Sequence, residues 1–142
     1  MHKLSIDSWF VNTAKQVRDG RLNAYDTLDA RKTALLVVDM QNYFVADGMP
    51  ACAPEARTIV PNINRLAQAT RTAGGTVIWI QTEALIADPQ DWANRKEATS
   101  AARWAKRQSL LARSGDGFAI YPTCAVLPED KIAIKYHWAS SW

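Results

Sequence analysis

The run Thr33-Ala34-Leu35-Leu36-Val37-Val38 is almost wholly apolar and stops at an acid, Asp39. Successive side chains of a strand point to opposite sides, so a strand with one wet face alternates apolar and polar residues. A run without alternation predicts a strand buried on both faces, the condition of a parallel sheet sandwiched between helices. The segments that follow agree. From Glu55 to Ala73 a helical period sets Ile59, Ile63, Leu66 and Thr70 at spacings of three and four, and Val60 and Ala67 widen the stripe. Gly74-Gly75 stops it, since glycine readily takes the left-handed conformation needed past a helix end. Thr76-Val77-Ile78-Trp79-Ile80-Gln81-Thr82, rich in β-branched and aromatic residues, reads as a second buried strand. A long excursion comes next, irregular over Ala84–Trp92 and helical over Asn94–Arg113, closed by Ser114-Gly115-Asp116-Gly117. Residues 118–130 carry Pro122 and Pro128 and read as loop, and Lys131-Ile132-Ala133-Ile134 is a short third strand ending in Lys135.

Strand–helix–strand–helix–strand order implies right-handed crossovers and a parallel sheet with helices on its faces. The expected class is α/β, a Rossmann-like three-layer fold whose sheet is truncated after the third strand. Residues 1–32, polar and weakly patterned, read as an N-terminal arm or cap with a short helix around Asn12–Arg18. At 142 residues, 48% hydrophobic and 22% charged, the rest suits one globular domain and excludes a disordered chain. A net charge of +3 is too small to argue for nucleic acid. Met1–Phe10 lacks the unbroken apolar core of an export signal, and no apolar run is long enough for a bilayer. Two cysteines fit a reducing compartment, so the expected location is the cytoplasm, without membrane or nucleic-acid partners.

Ligands of open parallel sheets bind in the crevice beyond the carboxyl ends of the strands. Here the exits carry Asp39, then Thr82 and Glu83, then Lys135. A carboxylate and an ammonium converging there form an acid–base pair in which the lysine orients the carboxylate. The competing reading is that charges merely mark where strands reach water. The excursion would lie over the crevice as a lid, with Trp92 and Trp104 lining the pocket or packing in a core or interface. Arg103, Lys106 and Arg107 share a helix face, which reads as a solvated face ahead of an anionic-substrate guide or an RNA contact.

The segment from Thr33 through Asp39-Met40-Gln41-Asn42-Tyr43-Phe44 closely resembles the opening motif of the isochorismatase-like cysteine hydrolases. The resemblance continues in order through Pro61-Asn62-Ile63-Asn64-Arg65-Leu66, Arg71-Thr72-Ala73-Gly74-Gly75-Thr76-Val77-Ile78-Trp79, and Leu127-Pro128-Glu129-Asp130 before Ile134-Lys135. It covers about residues 33–136, so residues 33–142 are expected to form a hydrolase domain of this type, incomplete at its C-terminus. The resemblance implies a small amide, ureido or carbamoyl substrate attacked by a cysteine. Asp39 matches the aspartate that takes up the thiol proton, and Lys135 the lysine that fixes geometry and charge. That division of labour is intelligible, because only a thiolate attacks well and a nearby base and cation help to form it. Gln41, Phe44, Thr82, Glu83 and Trp92 are the expected substrate contacts.

In the family the nucleophile lies downstream of the lysine, in a Gly-rich segment containing Cys-Val, and no such segment follows Lys135 here. Cys124 precedes the third strand, which puts it roughly 15 Å or more from Lys135. Cys52 follows the first strand at the correct end, but reads as a small residue packed under a Pro-rich loop. The nucleophile is therefore expected outside this chain. Two other readings stay open: vinyl-ether hydrolysis of the isochorismate type, with Asp39 as the acid and no cysteine, or an inactive remnant serving as an oligomerising or ligand-binding module. Some relatives, the nicotinamidases, hold a metal with an Asp and two His near the first strand. The loop Val45–Glu55 contains Asp47 but no histidine, and His137 has no evident partners, so neither metal nor cofactor is expected. An unpaired edge on strand three predicts a homo-oligomer or association with a missing C-terminal part.

Overall fold

β1 (Ala34–Val38), β2 (Thr76–Thr82) and β3 (Lys131–Lys135) form a three-stranded parallel sheet in the order β1-β2-β3. The computed structural model describes residues 5–84 and 97–136. The register sets Val37 beside Trp79 and Val38 beside Ile80, and Thr82 beside Lys135. Around the sheet run α1 (Ser8–Gln16), α2 (Asn42–Val45), α3 (Ala56–Thr72) and α4 (Ala101–Leu111). No helix among the described residues is long and apolar enough to cross a membrane.

The α/β class and the parallel sheet are as expected, and so are the three strands. α3 ends as its glycines predict. Gly74 has φ 81°, its N–H donates to the Arg71 carbonyl, and the Gly75 N–H donates to the Thr70 carbonyl. That pairing satisfies the carbonyls a helix end would otherwise strand.

Two helix starts differ from expectation and one helix is additional, each for a local reason. α1 starts at Ser8, not Asn12, because the Asp7 carboxylate caps it by accepting from the Trp9 N–H. α4 starts at Ala101, where the Ser100 hydroxyl accepts from the Arg103 N–H; positions 94–96 lie outside the described residues. α2 was not expected, being too short to show a period. Its first N–H groups, at Asn42 and Tyr43, donate to the carbonyls of Ala119 and Gly117.

The principal core lies between α3 and one face of the sheet: Val60 and Ala67 pack with Val37, Val77 and Trp79, joined by Met40, Val45 and Cys124. β1 was expected to be buried on both faces. It is buried on one, for Leu36 and Val38 on the other face are each 48% exposed. The register puts them opposite the side that α3 covers. An unbroken apolar run reports a strand that is suited to two covers, and cannot report whether both are supplied.

At the amino end of β3, Asp130 is held from several sides. It receives Arg71 Nε and Nη2 from α3 at 2.8 and 2.6 Å and the Trp79 indole N–H from β2 at 2.8 Å. Its side chain is 1% exposed and that of Arg71 11%. This bidentate pair, with the indole as a third donor, ties α3 to both strands.

Candidate active site

β1 delivers Asp39 to the carboxyl end of the sheet, where the chain stops being extended. Asp39 has φ 59°, a left-handed conformation that aspartate tolerates better than most residues and that still costs on the order of 1 kcal/mol. The turn has a geometric consequence. In continued extension Asp39 would share the face of Val37 and Trp79, whereas Thr82 and Lys135 stand level with each other on the face of Ile80. Leaving the strand at a positive φ brings the carboxylate to both of them. Its Oδ1 accepts from the Thr82 hydroxyl at 2.8 Å and its Oδ2 lies 2.9 Å from Lys135 Nζ. Lys135 belongs to the strand beyond β2, so its ammonium reaches the acid across Thr82.

The two charges sit at different depths. Lys135 is 7% exposed and Asp39 28%. The ammonium is enclosed with its charge compensated by the carboxylate, while the carboxylate keeps an open side on which a substrate proton can be handled.

Gln41 is fully buried and braces this arrangement. Its amide NH₂ donates to the carbonyls of Thr82 and Phe118 at 3.0 and 2.8 Å, and its Oε1 accepts from the Thr82 N–H at 2.7 Å. Expected as a substrate contact, it stands in the structure as a clamp joining the exits of β1 and β2 to the 117–121 segment, which also bridges to it through Ile120. Phe44 is half-buried, packed against the principal core and edge-on to Tyr43 at 5.0 Å. Glu83 is buried beyond Thr82, accepts from Arg113 Nε at 2.9 Å, and extends the ladder by donating its N–H to the Lys135 carbonyl. Glu83, and then Tyr136, hold the Arg113 guanidinium above its ordinary value. In the sequence Arg113 reads as one basic residue among several on the helix of the excursion, with nothing to tie it to Glu83. Trp92 lies outside the described residues. The structure therefore brings Asp39, Thr82 and Lys135 together, with Gln41 and Glu83 as neighbours bound into the fold.

Neither cysteine belongs to this cluster. Cys124 is buried in the core under α3, and burial pushes its thiol up, which leaves it a poor nucleophile. Cys52 lies 3.7 Å from the Val45 carbonyl, beside Arg57, which in turn pairs with Asp47 at 2.7 Å. Among the described residues no group of three or more His, Cys, Asp or Glu side chains could hold a metal ion.

Residues 33–141 match the family model of the isochorismatase domain. Over 53 residues the chain is 43% identical to a probable inactive nicotinamidase from Arabidopsis thaliana, a stretch that covers 37% of this chain and 27% of that protein. Among solved structures, a cysteine hydrolase from Pseudomonas syringae pv. phaseolicola is similar with a TM-score of 0.66 and 24% identity, over 79% of this chain and 50% of that one. An isochorismatase family protein from Desulfovibrio vulgaris is similar with a TM-score of 0.55 and 28% identity, over 72% and 51%. The chain thus spans about half the length of the solved relatives it matches.

Proposed function

The chain belongs to the isochorismatase family, and from that premise we propose that it forms the acid–base half of a hydrolase site for a small amide, ureido or carbamoyl compound. In this reading Asp39 is the base, Lys135 its partner and Thr82 the group that orients the carboxylate. The observation that carries it is the Asp39 carboxylate, held at 2.8 Å by Thr82 and 2.9 Å by Lys135 yet open on one side. Both carboxylate oxygens are anchored, so the acid meets its substrate in one orientation, and the buried ammonium stabilises negative charge developing beside it. Glu83 and Phe44 are assigned to the surrounding substrate surface. The attacking thiol comes from outside these 142 residues, since Cys52 and Cys124 are both engaged elsewhere. A separate C-terminal part would supply the thiol, and that part or a second copy would cover the free edge of β3; a cytoplasmic site of action belongs to the same proposal.

One observation favours a second reading, a ligand-holding module without turnover. The relative sharing 43% identity over 53 residues is a probable inactive nicotinamidase. Release of ammonia from a panel of simple amides and ureido compounds, measured with the chain completed by the part that supplies the thiol, separates the two. The hydrolase reading expects turnover that Asp39→Asn lowers by about a hundredfold or more, with folding checked by circular dichroism. Turnover unchanged in that variant removes Asp39 from the mechanism. No turnover by the natural protein, with the ligands still bound, supports the module.

A further inference from the structure

A second concave site lies at the same end of the sheet, apart from the Asp39 cluster. It is a cavity of about 570 Å³ between α2, the turn at Pro50, and α4, within the range of small-molecule pockets. α2 follows β1 and α4 follows β2, so both walls stand beyond strand carboxyl ends, where such folds hold ligands.

The lining divides by chemistry. Tyr43 and Trp104, with Pro50, supply flat apolar surface, while Arg103, Lys106 and Arg107 supply three positive charges, and among the described residues no acidic one lines the cavity. Tyr43 is buried in a small cluster with Ala84 and Leu111, and the Arg107 guanidinium lies over its ring at 5.6 Å. Arg103 and Lys106 are exposed, and among the described residues neither pairs with a carboxylate.

This arrangement is unfavourable without a counter-charge. Residue 103 neighbours 106 and 107 on the helix surface at spacings of three and four, and like charges at these spacings repel by a few tenths of a kcal/mol per pair. Arg103 also sits in the first turn of α4, where the helix dipole disfavours a cation. A solvated helix face ordinarily mixes signs; this one collects a single sign around a hollow with aromatic walls.

We infer that the cavity binds a small planar anion, an aromatic or heteroaromatic carboxylate. The ring would lie against Tyr43 and Trp104, and the carboxylate would meet Arg103 and Lys106, with Arg107 already seated on Tyr43. The inference does not depend on the role of Asp39, which is not among the lining residues.

Isothermal titration of the full chain tests it, with benzoate as the probe and with acetophenone and inorganic phosphate as comparisons. Benzoate should bind, and more weakly as salt rises, because surface charges are screened. The double variant R103Q/K106Q, both exposed positions, should weaken benzoate by about tenfold or more, the scale of one charge-assisted hydrogen bond. Acetophenone, of the same shape but neutral and not an amide, should bind wild type about tenfold more weakly than benzoate. D39N should bind benzoate as wild type does, which keeps this result distinct from the fate of the hydrolase reading. Four outcomes overturn the inference: no benzoate binding at millimolar concentration, no effect of R103Q/K106Q, acetophenone equal to benzoate, or phosphate equal to benzoate. The last would mean the aromatic walls contribute nothing.

Discussion

Asp130→Asn removes one charge while keeping the shape of the side chain, and should destabilise the protein by about 3 kcal/mol at neutral pH. Asp130 accepts from Arg71 twice, from the Trp79 indole, and from the Leu127 N–H at 3.0 Å. The Arg71 hydrogen bonds, foremost among these contacts, hold its carboxyl at about 2, below the ordinary 3.8. With a side chain 1% exposed, little discount for solvent is needed, and the depression corresponds to about 2 kcal/mol of folding stability. The variant loses this and also leaves the Arg71 guanidinium, 11% exposed, without its counter-ion, which raises the total. The sign with pH follows from the direction of the shift. A carboxyl lower in the folded state contributes fully above the unfolded value, near 4, and the contribution disappears as pH falls through about 2. Urea denaturation followed by tryptophan fluorescence, from pH 7 down to pH 2.5, measures both. The wild type should lose this part of its stability below about pH 4, and the two proteins should converge there. A difference under about 1 kcal/mol at pH 7, or one that persists unchanged at acid pH, would refute the reasoning.

Further outcomes follow from the same structure. Gln41→Leu strands the Thr82 N–H and carbonyl and takes from the Phe118 carbonyl one of its two donors, leaving it Gln81, so the melting temperature should fall by about 10 °C in calorimetry. Leu111→Ala opens a space at a fully buried side chain under Tyr43 and should cost about 3 kcal/mol by urea denaturation. Asp39→Asn should cost more stability than Lys135→Met by about 1 kcal/mol or more, by the same method. The first leaves an enclosed ammonium unpaired, whereas the second leaves a part-exposed carboxylate still bonded to Thr82. Equal costs would mean that the pair is not asymmetrically buried.

Asp39 and Lys135 could be singled out before any coordinates because each ends an apolar run, and in a parallel sheet all such ends gather in one crevice. The strands and the long helix α3 were legible for a related reason. Their side-chain periods are local, and Gly74-Gly75 marks a stop whose conformation few other residues adopt. Residue type also told that Gln41, Thr82 and Glu83 lie close to the crevice, since position along a strand decides that.

What those residues do there was not legible. That Gln41 closes on Thr82 and Phe118, 41 and 77 residues away, depends on the 117–121 segment folding back along α2. That Arg103, Lys106 and Arg107 wall a hollow with Tyr43 depends on where α4 is set down, and a helix face looks the same in sequence whether it meets water or a cavity. The sequence by itself determined the strands, their direction and the acid at the end of β1, because these rest on neighbours a few residues apart. Only the tertiary structure decided which face of β1 is covered, that Asp39 leaves the strand at a positive φ, and that Lys135 reaches it across Thr82, because hydrogen-bond partners and burial are set by segments distant along the chain.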